Sequence, residues 1–285
     1  MRKSLHRILD ELSGVAVSLM SIDEHRRRAP ADALRAQVAW YVGYRQRDMP
    51  PAVHRGLPSP FLTLIFTLDE PLIMAAHPDP HQVPGTFGTL LGGLHTTPAL
   101  IRHDGAQSGI QVALLPLGTR ALLGLPGGAL ANIDVPAEAV LGRAGDRIQS
   151  RIQEADSWSS RFAILDSELG ALLGDAPAIA PEVAWAWRML LRAGGTVPVA
   201  KLAAETGWSS RYLAQRFHVE TGLSPKALAR VVRFHHARSA LRTGGRPGGL
   251  AGVAAAYGYY DQAHLAREFR ALAGCPPSQW LAERY

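Results

Sequence analysis

Arginine and glutamine side chains occur in both copies of a repeated segment near the end of the 285-residue sequence. Arg211 and Gln215 lie in the first copy, and Gln262 and Arg267 lie in the second. A guanidinium can make two hydrogen bonds to O6 and N7 of guanine, and a glutamine amide can do the same with N6 and N7 of adenine. These four side chains could therefore read base edges if each pair lies on the exposed face of a helix.

The repeat consists of apolar and turn residues at fixed spacing. Two sub-motifs recur in the same order: Leu213-x3-Phe217-x4-Gly222-x2-Pro225 returns as Leu265-x3-Phe269-x4-Gly274-x2-Pro277, and Leu202-Ala203-x3-Gly207 returns as Val253-Ala254-x3-Gly258. The pattern predicts that each copy is a short helix, a glycine-containing turn and a second helix. Ser209 and Asp261 are the expected N-caps of the two second helices.

Short capped helices joined by a tight turn are typical of helix-turn-helix proteins, which insert the second helix into the major groove of DNA. Arg211, Gln215, Gln262 and Arg267 are the candidates for base contacts. Other polar residues on and beside the same helices are candidates for contacting phosphates or supporting the interface: Ser209, Ser210, Arg216, Lys226, His264 and Arg270.

The distribution of charge agrees with a polyanionic partner for the C-terminal third alone. Residues 181–285 contain 14 Lys or Arg and 6 Asp or Glu, whereas residues 1–180 contain 16 and 18. A basic excess confined to one region favours double-stranded DNA as its partner, although a solvated basic face is the alternative.

The segment from Val197 to Trp280 resembles the AraC/XylS class of bacterial transcriptional regulators. The similarity includes Gly207, Thr221-Gly222, Ser224-Pro225 and Asp261-Gln262 besides the repeat itself. The resemblance implies two helix-turn-helix units joined by a long helix, here about Lys226 to Arg242, that enter successive major grooves. The glycine-rich loop at residues 244–249 departs from the family pattern.

The N-terminal part has a different pattern of apolar and turn residues, and together with the helical C-terminal part it predicts an α+β protein. Short apolar runs separated by Pro and Gly from about residue 37 to 115 indicate a small antiparallel barrel or sandwich. Two helices are expected over Arg143–Ala155 and Trp158–Leu173. We predict an N-terminal helix and basic arm (1–36), a β-rich domain with a helical pair (37–175) and an all-α DNA-binding domain (181–285).

The family resemblance implies that the β-rich domain is a cupin-like barrel that senses a small-molecule effector, and that the helical pair dimerises. A homodimer and RNA polymerase are the partners that such a regulator would have besides DNA. Trp40, Tyr44, Phe66 and His95 are the candidate pocket residues, with filling of the core as the alternative for the aromatic ones. The effector itself is not identifiable from the sequence.

Two other functions remain open at this point. One is a DNA-binding protein without small-molecule control. The other is a metal-dependent enzyme fused to a DNA-binding domain, with His77, His81, His95 and His103 as metal ligands. Prolines between His77 and His81 exclude the helical spacing of a common metal motif, and no nucleophile elbow, Walker loop or dinucleotide fingerprint occurs. We therefore expect no enzyme activity, no metal and no cofactor.

The expected compartment is the cytoplasm, with no membrane partner. The one cysteine, Cys275, excludes an internal disulfide and fits a reducing environment. No apolar stretch approaches the roughly 20 residues that span a bilayer.

Overall fold

A computed structural model describes residues 22–244 and 247–283 of the chain. The helix expected near the N-terminus lies outside these residues. The described residues begin with a β-rich region and end in helices, which confirms the predicted α+β class. In the described ranges, no helix is long and apolar enough to cross a membrane.

Ten strands form two antiparallel sheets within the described residues. The six-stranded sheet has the order β1-β2-β9-β4-β7-β10 and the four-stranded sheet has the order β3-β8-β5-β6. The strands are β1 (Ile22–Arg28), β2 (Val38–Arg47), β3 (Ala52–Gly56), β4 (Leu62–Thr67), β5 (Leu72–Ala76), β6 (Gly85–Phe87), β7 (Thr89–Gly92), β8 (Ala99–His103), β9 (Gln107–Leu114) and β10 (Asp134–Val135).

The six-stranded sheet is covered on both faces, which explains the apolar run in β4. Leu64 and Phe66 belong to a core shared with the helices, whereas Ile65 packs with Met74 and Ile101 of the four-stranded sheet. Successive side chains of a strand point to opposite faces, so a strand buried on both sides must be apolar throughout.

The α-helices of the described residues come after β9, and β10 lies between the first two of them. They are α1 (Thr119–Leu123), α2 (Glu138–Leu141), α3 (Arg143–Glu154), α4 (Trp158–Ala171), α5 (Pro181–Arg192), α6 (Val199–Thr206), α7 (Ser210–Thr221), α8 (Pro225–Arg242), α9 (Gly249–Ala256), α10 (Gln262–Ala273) and α11 (Pro277–Ala282). The helical pair expected from the sequence corresponds to α3 and α4. Its apolar residues Ile148, Phe162 and Leu165 are buried in the core of the same chain.

The basic stretch that precedes Pro30, expected to be an arm, is a strand in the structure. Residues 22–28 pair with β2 along their whole length, from Ile22 opposite Arg47 to Arg28 opposite Tyr41. Its side chains are almost all exposed, so no alternation of apolar residues marks it in the sequence. Backbone pairing, rather than burial of side chains, makes this segment a strand.

Candidate DNA interface

The first helix-turn-helix unit consists of α6 and α7. Gly207, with φ of 70°, ends α6, and the Ser209 hydroxyl accepts a hydrogen bond from the backbone N–H of Tyr212 to cap α7. Leu213 and Phe217 have no exposed surface and anchor α7 to the domain core. Because these two residues are four apart, they fix which face of α7 points to solvent.

The second unit, α9 and α10, repeats this arrangement. Gly258, with φ of 74°, lies in the turn, and the Asp261 carboxylate accepts a hydrogen bond of 2.6 Å from the backbone N–H of His264. Leu265 and Phe269 are fully buried. The turn has one more residue than in the first unit, and the extra position is held by Tyr260, whose side chain is 93% exposed.

All four candidate base-contacting residues are exposed on these two helices. Arg211 and Gln215 lie on the exposed side of α7, and Gln262 and Arg267 lie on that of α10. Among the candidate phosphate contacts, Ser209 is the cap of α7, and the other exposed members are Ser210, Arg216, Lys226 and Arg270.

His264 is half-buried and has a defined ring orientation. Its Nδ1 atom accepts a hydrogen bond from the Tyr260 backbone N–H at 3.2 Å, and its ring lies edge-on to that of Tyr259. In the neutral ring the proton must therefore be on Nε2. That N–H is the donor that His264 can offer to a phosphate.

The long helix α8 fixes α10 in place on the other side of the glycine-rich loop. The Arg230 guanidinium donates to the Glu268 carboxylate at 2.7 Å, and Phe234 packs edge-on against Phe269 with ring centroids 4.9 Å apart. Both contacts join the linking helix α8 directly to α10. We refer to α7 and α10, the second helices of the two units, as the first and second recognition helices. Residues 245 and 246 of the loop lie outside the described ranges.

The N-terminal domain contacts the C-terminal end of α7, which sequence reasoning did not reveal. Arg120 of α1 donates two hydrogen bonds, of 2.8 and 3.0 Å, to the two carboxylate oxygens of Glu220, which is 6% exposed. Next to it, Gly128 approaches the backbone so closely that a Cβ atom would lie 2.4 Å from the Val219 carbonyl oxygen. The first recognition helix is therefore held by both domains.

A second contact between the domains involves His235 of α8, whose ring meets that of Phe61 edge-on at 6.1 Å. Burial, together with nearby cationic or titratable groups, lowers the pKa of His235 to about 4; these groups are Arg238, His236, Arg242 and Arg27. The imidazole is thus neutral at physiological pH, and protonating it would place a charge against Phe61 and those groups.

This depressed pKa predicts a loss of stability in mild acid. The unfolded chain takes up the proton near pH 6.5 and the folded chain only near pH 4. The stability that depends on neutral His235 is therefore complete above pH 6.5 and is lost as the pH falls below it. We expect the free energy of unfolding to fall by roughly 2 kcal/mol between pH 7 and pH 5 because of His235. Urea unfolding of the wild type and His235→Gln at both pH values measures it. An equal pH dependence in the two proteins would contradict this origin.

The β-rich domain contains a cavity of about 340 Å³ at one end of the two sheets. Its lining includes Tyr44, Thr67, Leu72, Arg102 and His103. Burial raises the pKa of Tyr44, so its phenol stays protonated as a hydrogen-bond donor. The His103 Nδ1 atom accepts a hydrogen bond from the backbone N–H of Gly105 at 3.3 Å, so in the neutral ring the single N–H donor is on Nε2.

Of the four candidate pocket residues, Tyr44 is the one that lines this cavity. Phe66 is buried on the opposite face of the sheet, among the residues that pack against the helices. Trp40 lies edge-on to Phe61 under the Arg27 guanidinium, and His95 donates from Nδ1 to the Thr97 carbonyl.

The histidines considered as metal ligands have other partners or positions. His77 donates to the Asp134 carboxylate at 2.8 Å, in a pair whose side chains are 1% and 7% exposed, and His81 lies exposed in a turn. Within residues 22–244 and 247–283, no group of three or more His, Cys, Asp or Glu side chains is placed to hold a metal ion.

The fold and the two exposed recognition helices define the class of helix-turn-helix DNA-binding proteins. Residues 202–283 match the helix-turn-helix domain family, and residues 26–136 match a family described as a domain of unknown function. The predicted resemblance is confirmed for this C-terminal segment, which is an AraC-type helix-turn-helix domain. None of the curated proteins shows significant similarity to the chain.

Three solved structures of regulators are similar to this chain at low identity. Apo ToxT from Vibrio cholerae, in a variant form, has a TM-score of 0.50 and 10% identity, with 90% of this chain and 99% of that chain covered. The C-terminal domain of the response regulator AraT from Geobacillus stearothermophilus has 0.35 and 22%, covering 38% and 89%. The AraC-like transcriptional activator CuxR has 0.30 and 15%, covering 68% and 80%. The similarity to ToxT concerns the fold of both domains.

Proposed function

We propose that this protein reads a specific DNA sequence with both recognition helices and regulates transcription from that site without catalysing a reaction. The observation that carries the proposal is the exposure of Arg211 and Gln215 on α7, and of Gln262 and Arg267 on α10. Each pair lies on a capped helix whose opposite face is fixed in the core. Side chains held in this way can form bidentate bonds to guanine and adenine.

The phosphate contacts supply affinity without sequence preference. Arg216, Lys226 and Arg270 add positive charge beside the recognition helices, and Ser209, Ser210 and His264 add hydrogen-bond donors near the helix N-termini. Neutralising phosphates releases condensed counterions, so binding weakens steeply as salt increases. Base preference should then depend on the four exposed Arg and Gln residues, and salt dependence on the basic ones.

The test is to let the purified protein select duplexes from a random DNA library at two salt concentrations and to sequence the bound DNA. We expect a motif with two blocks about one helical turn, or 10 base pairs, apart, because each unit enters one major groove. A single enriched block would show that one unit alone reads sequence. Weak binding with no enriched motif, lost steeply with salt, would overturn sequence-specific recognition and leave an architectural binder.

We also propose that the cavity of the β-rich domain binds a small organic effector with hydrogen-bond acceptors. Its volume of about 340 Å³ lies within the usual range of ligand sites, roughly 300–1,000 Å³. Tyr44 and His103 offer hydrogen-bond donors inside it, and the charged groups Glu70, Arg102 and Asp104 also contribute to the lining.

A thermal-shift screen with a panel of small metabolites tests this effector site, because a ligand that binds only the folded state raises Tm. The shift should be lost in Tyr44→Phe, which removes the hydroxyl, and retained in Val53→Ala, an exposed position outside the lining. If a ligand shifts both variants equally, the cavity is not its site. If nothing in the panel shifts the protein, control through a protein partner becomes the better explanation.

A further inference from the structure

The strand β1 is an open edge of the six-stranded sheet. It pairs with β2 on one side, and no other strand in the described part of the chain pairs with it. All its residues are exposed except Glu24, which is half-buried. Such an edge presents backbone N–H and C=O groups that can pair with another strand.

The charges along β1 are ordered rather than mixed. Asp23 and Glu24 precede His25, and Arg26 and Arg27 follow it. When two copies of the strand run antiparallel with His25 opposite His25, Asp23 of each copy faces Arg27 of the other, and Glu24 faces Arg26. All seven residues pair in this register, and the acidic half of each strand meets the basic half of the other.

Other symmetric registers are less favourable. Moving the two-fold axis by one residue places Glu24 opposite Glu24 or Arg26 opposite Arg26, and like charges directly opposite each other destabilise a sheet. Charged residues on an edge usually prevent pairing. On β1, however, the order of the charges favours one antiparallel partner, which is β1 of a second copy of the chain.

The carboxylates of β1 are accessible for this exchange of partners. Within one chain Asp23 lies 3.1 Å from His25, and Glu24 lies 3.1 Å from Arg26. The Asp23–His25 pair is exposed and the Arg26–Glu24 pair is partly exposed, and such pairs contribute little to stability, so replacing them by cross-strand pairs requires little free energy. The helical pair that the family resemblance implied for dimerisation has its apolar residues buried in its own chain.

We propose that β1 pairs with β1 of a second copy of the chain about a two-fold axis at His25, joining two six-stranded sheets into one. Backbone hydrogen bonds hold the strands together, and the charge order sets the register. One strand edge is small compared with a standard interface of about 1,600 Å². The dimer is therefore weak and depends on concentration. The proposal does not rest on the DNA-binding role.

A charge-sorting experiment tests the interface. One variant, Arg26→Glu with Arg27→Glu, makes the centre of β1 acidic, and the other, Asp23→Arg with Glu24→Arg, makes it basic. Sedimentation equilibrium should show that each variant alone dimerises at least about tenfold more weakly than the wild type, because every charged pair becomes repulsive. An equimolar mixture should recover dimers, because every charged pair between the two variants is attractive.

A matched control carries the same change in charge at another surface. Arg188→Glu with Arg192→Glu alters two exposed arginines of α5 and should leave self-association unchanged. Circular dichroism checks that all variants are folded. If the wild type stays monomeric up to about 100 µM and the mixture also fails to associate, the proposal is wrong. A wild-type dimer that persists in both β1 variants would place the interface on another surface.

Discussion

Replacing Arg120 with alanine is expected to lower the free energy of unfolding by roughly 3 kcal/mol, because it leaves the Glu220 carboxylate without its partner. The Glu220 side chain is 8% exposed and receives both of its hydrogen bonds from Arg120, so water cannot fully replace the guanidinium. Urea unfolding at pH 7 measures the loss.

Two further variants separate two effects on the free energy of unfolding: leaving the buried Glu220 carboxylate unpaired, and losing the packing of the Arg120 side chain. The double variant Arg120→Leu with Glu220→Leu removes both charges and should be less destabilised than Arg120→Ala, because no buried ion remains. Lys201→Ala breaks an exposed pair with Glu205, whose atoms are 3.9 Å apart, and should change stability by less than about 1 kcal/mol. If Arg120→Ala resembles this exposed control, the Glu220 carboxylate must be solvated.

The Arg120–Glu220 ion pair joins the N-terminal domain to α7, the helix that carries the candidate base contacts Arg211 and Gln215. Glu220 lies in the last turn of α7, and Arg120 lies in the short helix that follows the last long strand of the N-terminal domain. A change in the N-terminal domain that moves α1 would act on the first recognition helix directly. The contact is thus a physical route by which the two domains can influence each other.

The DNA-binding domain was largely predictable because its signals are local. The repeat predicted a short lead helix before the turn at Gly207, and α6 (Val199–Thr206) ends at that glycine. Ser209 and Asp261 cap the recognition helices as expected. A cap, a glycine in the turn and apolar residues four apart are all readable within about a dozen residues.

The N-terminal domain was predictable only as a class. The apolar runs of this domain indicated strands, but β1 has no apolar alternation. It forms a strand because its backbone pairs with that of β2, which no local pattern shows. Phe66 belongs to the same short run as Ile65, yet the two face opposite sides of the sheet, so the pocket could not be assigned from residue types. Arg120 and Glu220 are 100 positions apart, and no local pattern links them.

Arg267→Ala is expected to weaken binding to the selected DNA site by about 5- to 150-fold, or 1–3 kcal/mol, and to relax preference at one base position. Arg211→Ala should have an effect of the same size at a position in the other block. Both side chains are exposed on helices whose opposite faces are buried, so the substitutions should leave folding intact. Fluorescence anisotropy with the selected duplex and with single-base variants of it gives both quantities.

Arg216→Ala is the matched control, because Arg216 is exposed on α7 one position beyond Gln215. As a phosphate contact it should weaken binding to all sequences alike and reduce the salt slope by about 1, without changing base preference. If Arg267→Ala behaves in this way too, Arg267 contacts only the backbone. If Arg211→Ala alone relaxes a base preference, α10 contributes only affinity, although Arg230 and Phe234 fix it to the linking helix. Equal effects from the two arginines would instead mean that the glycine-rich loop does not prevent the second unit from reading sequence.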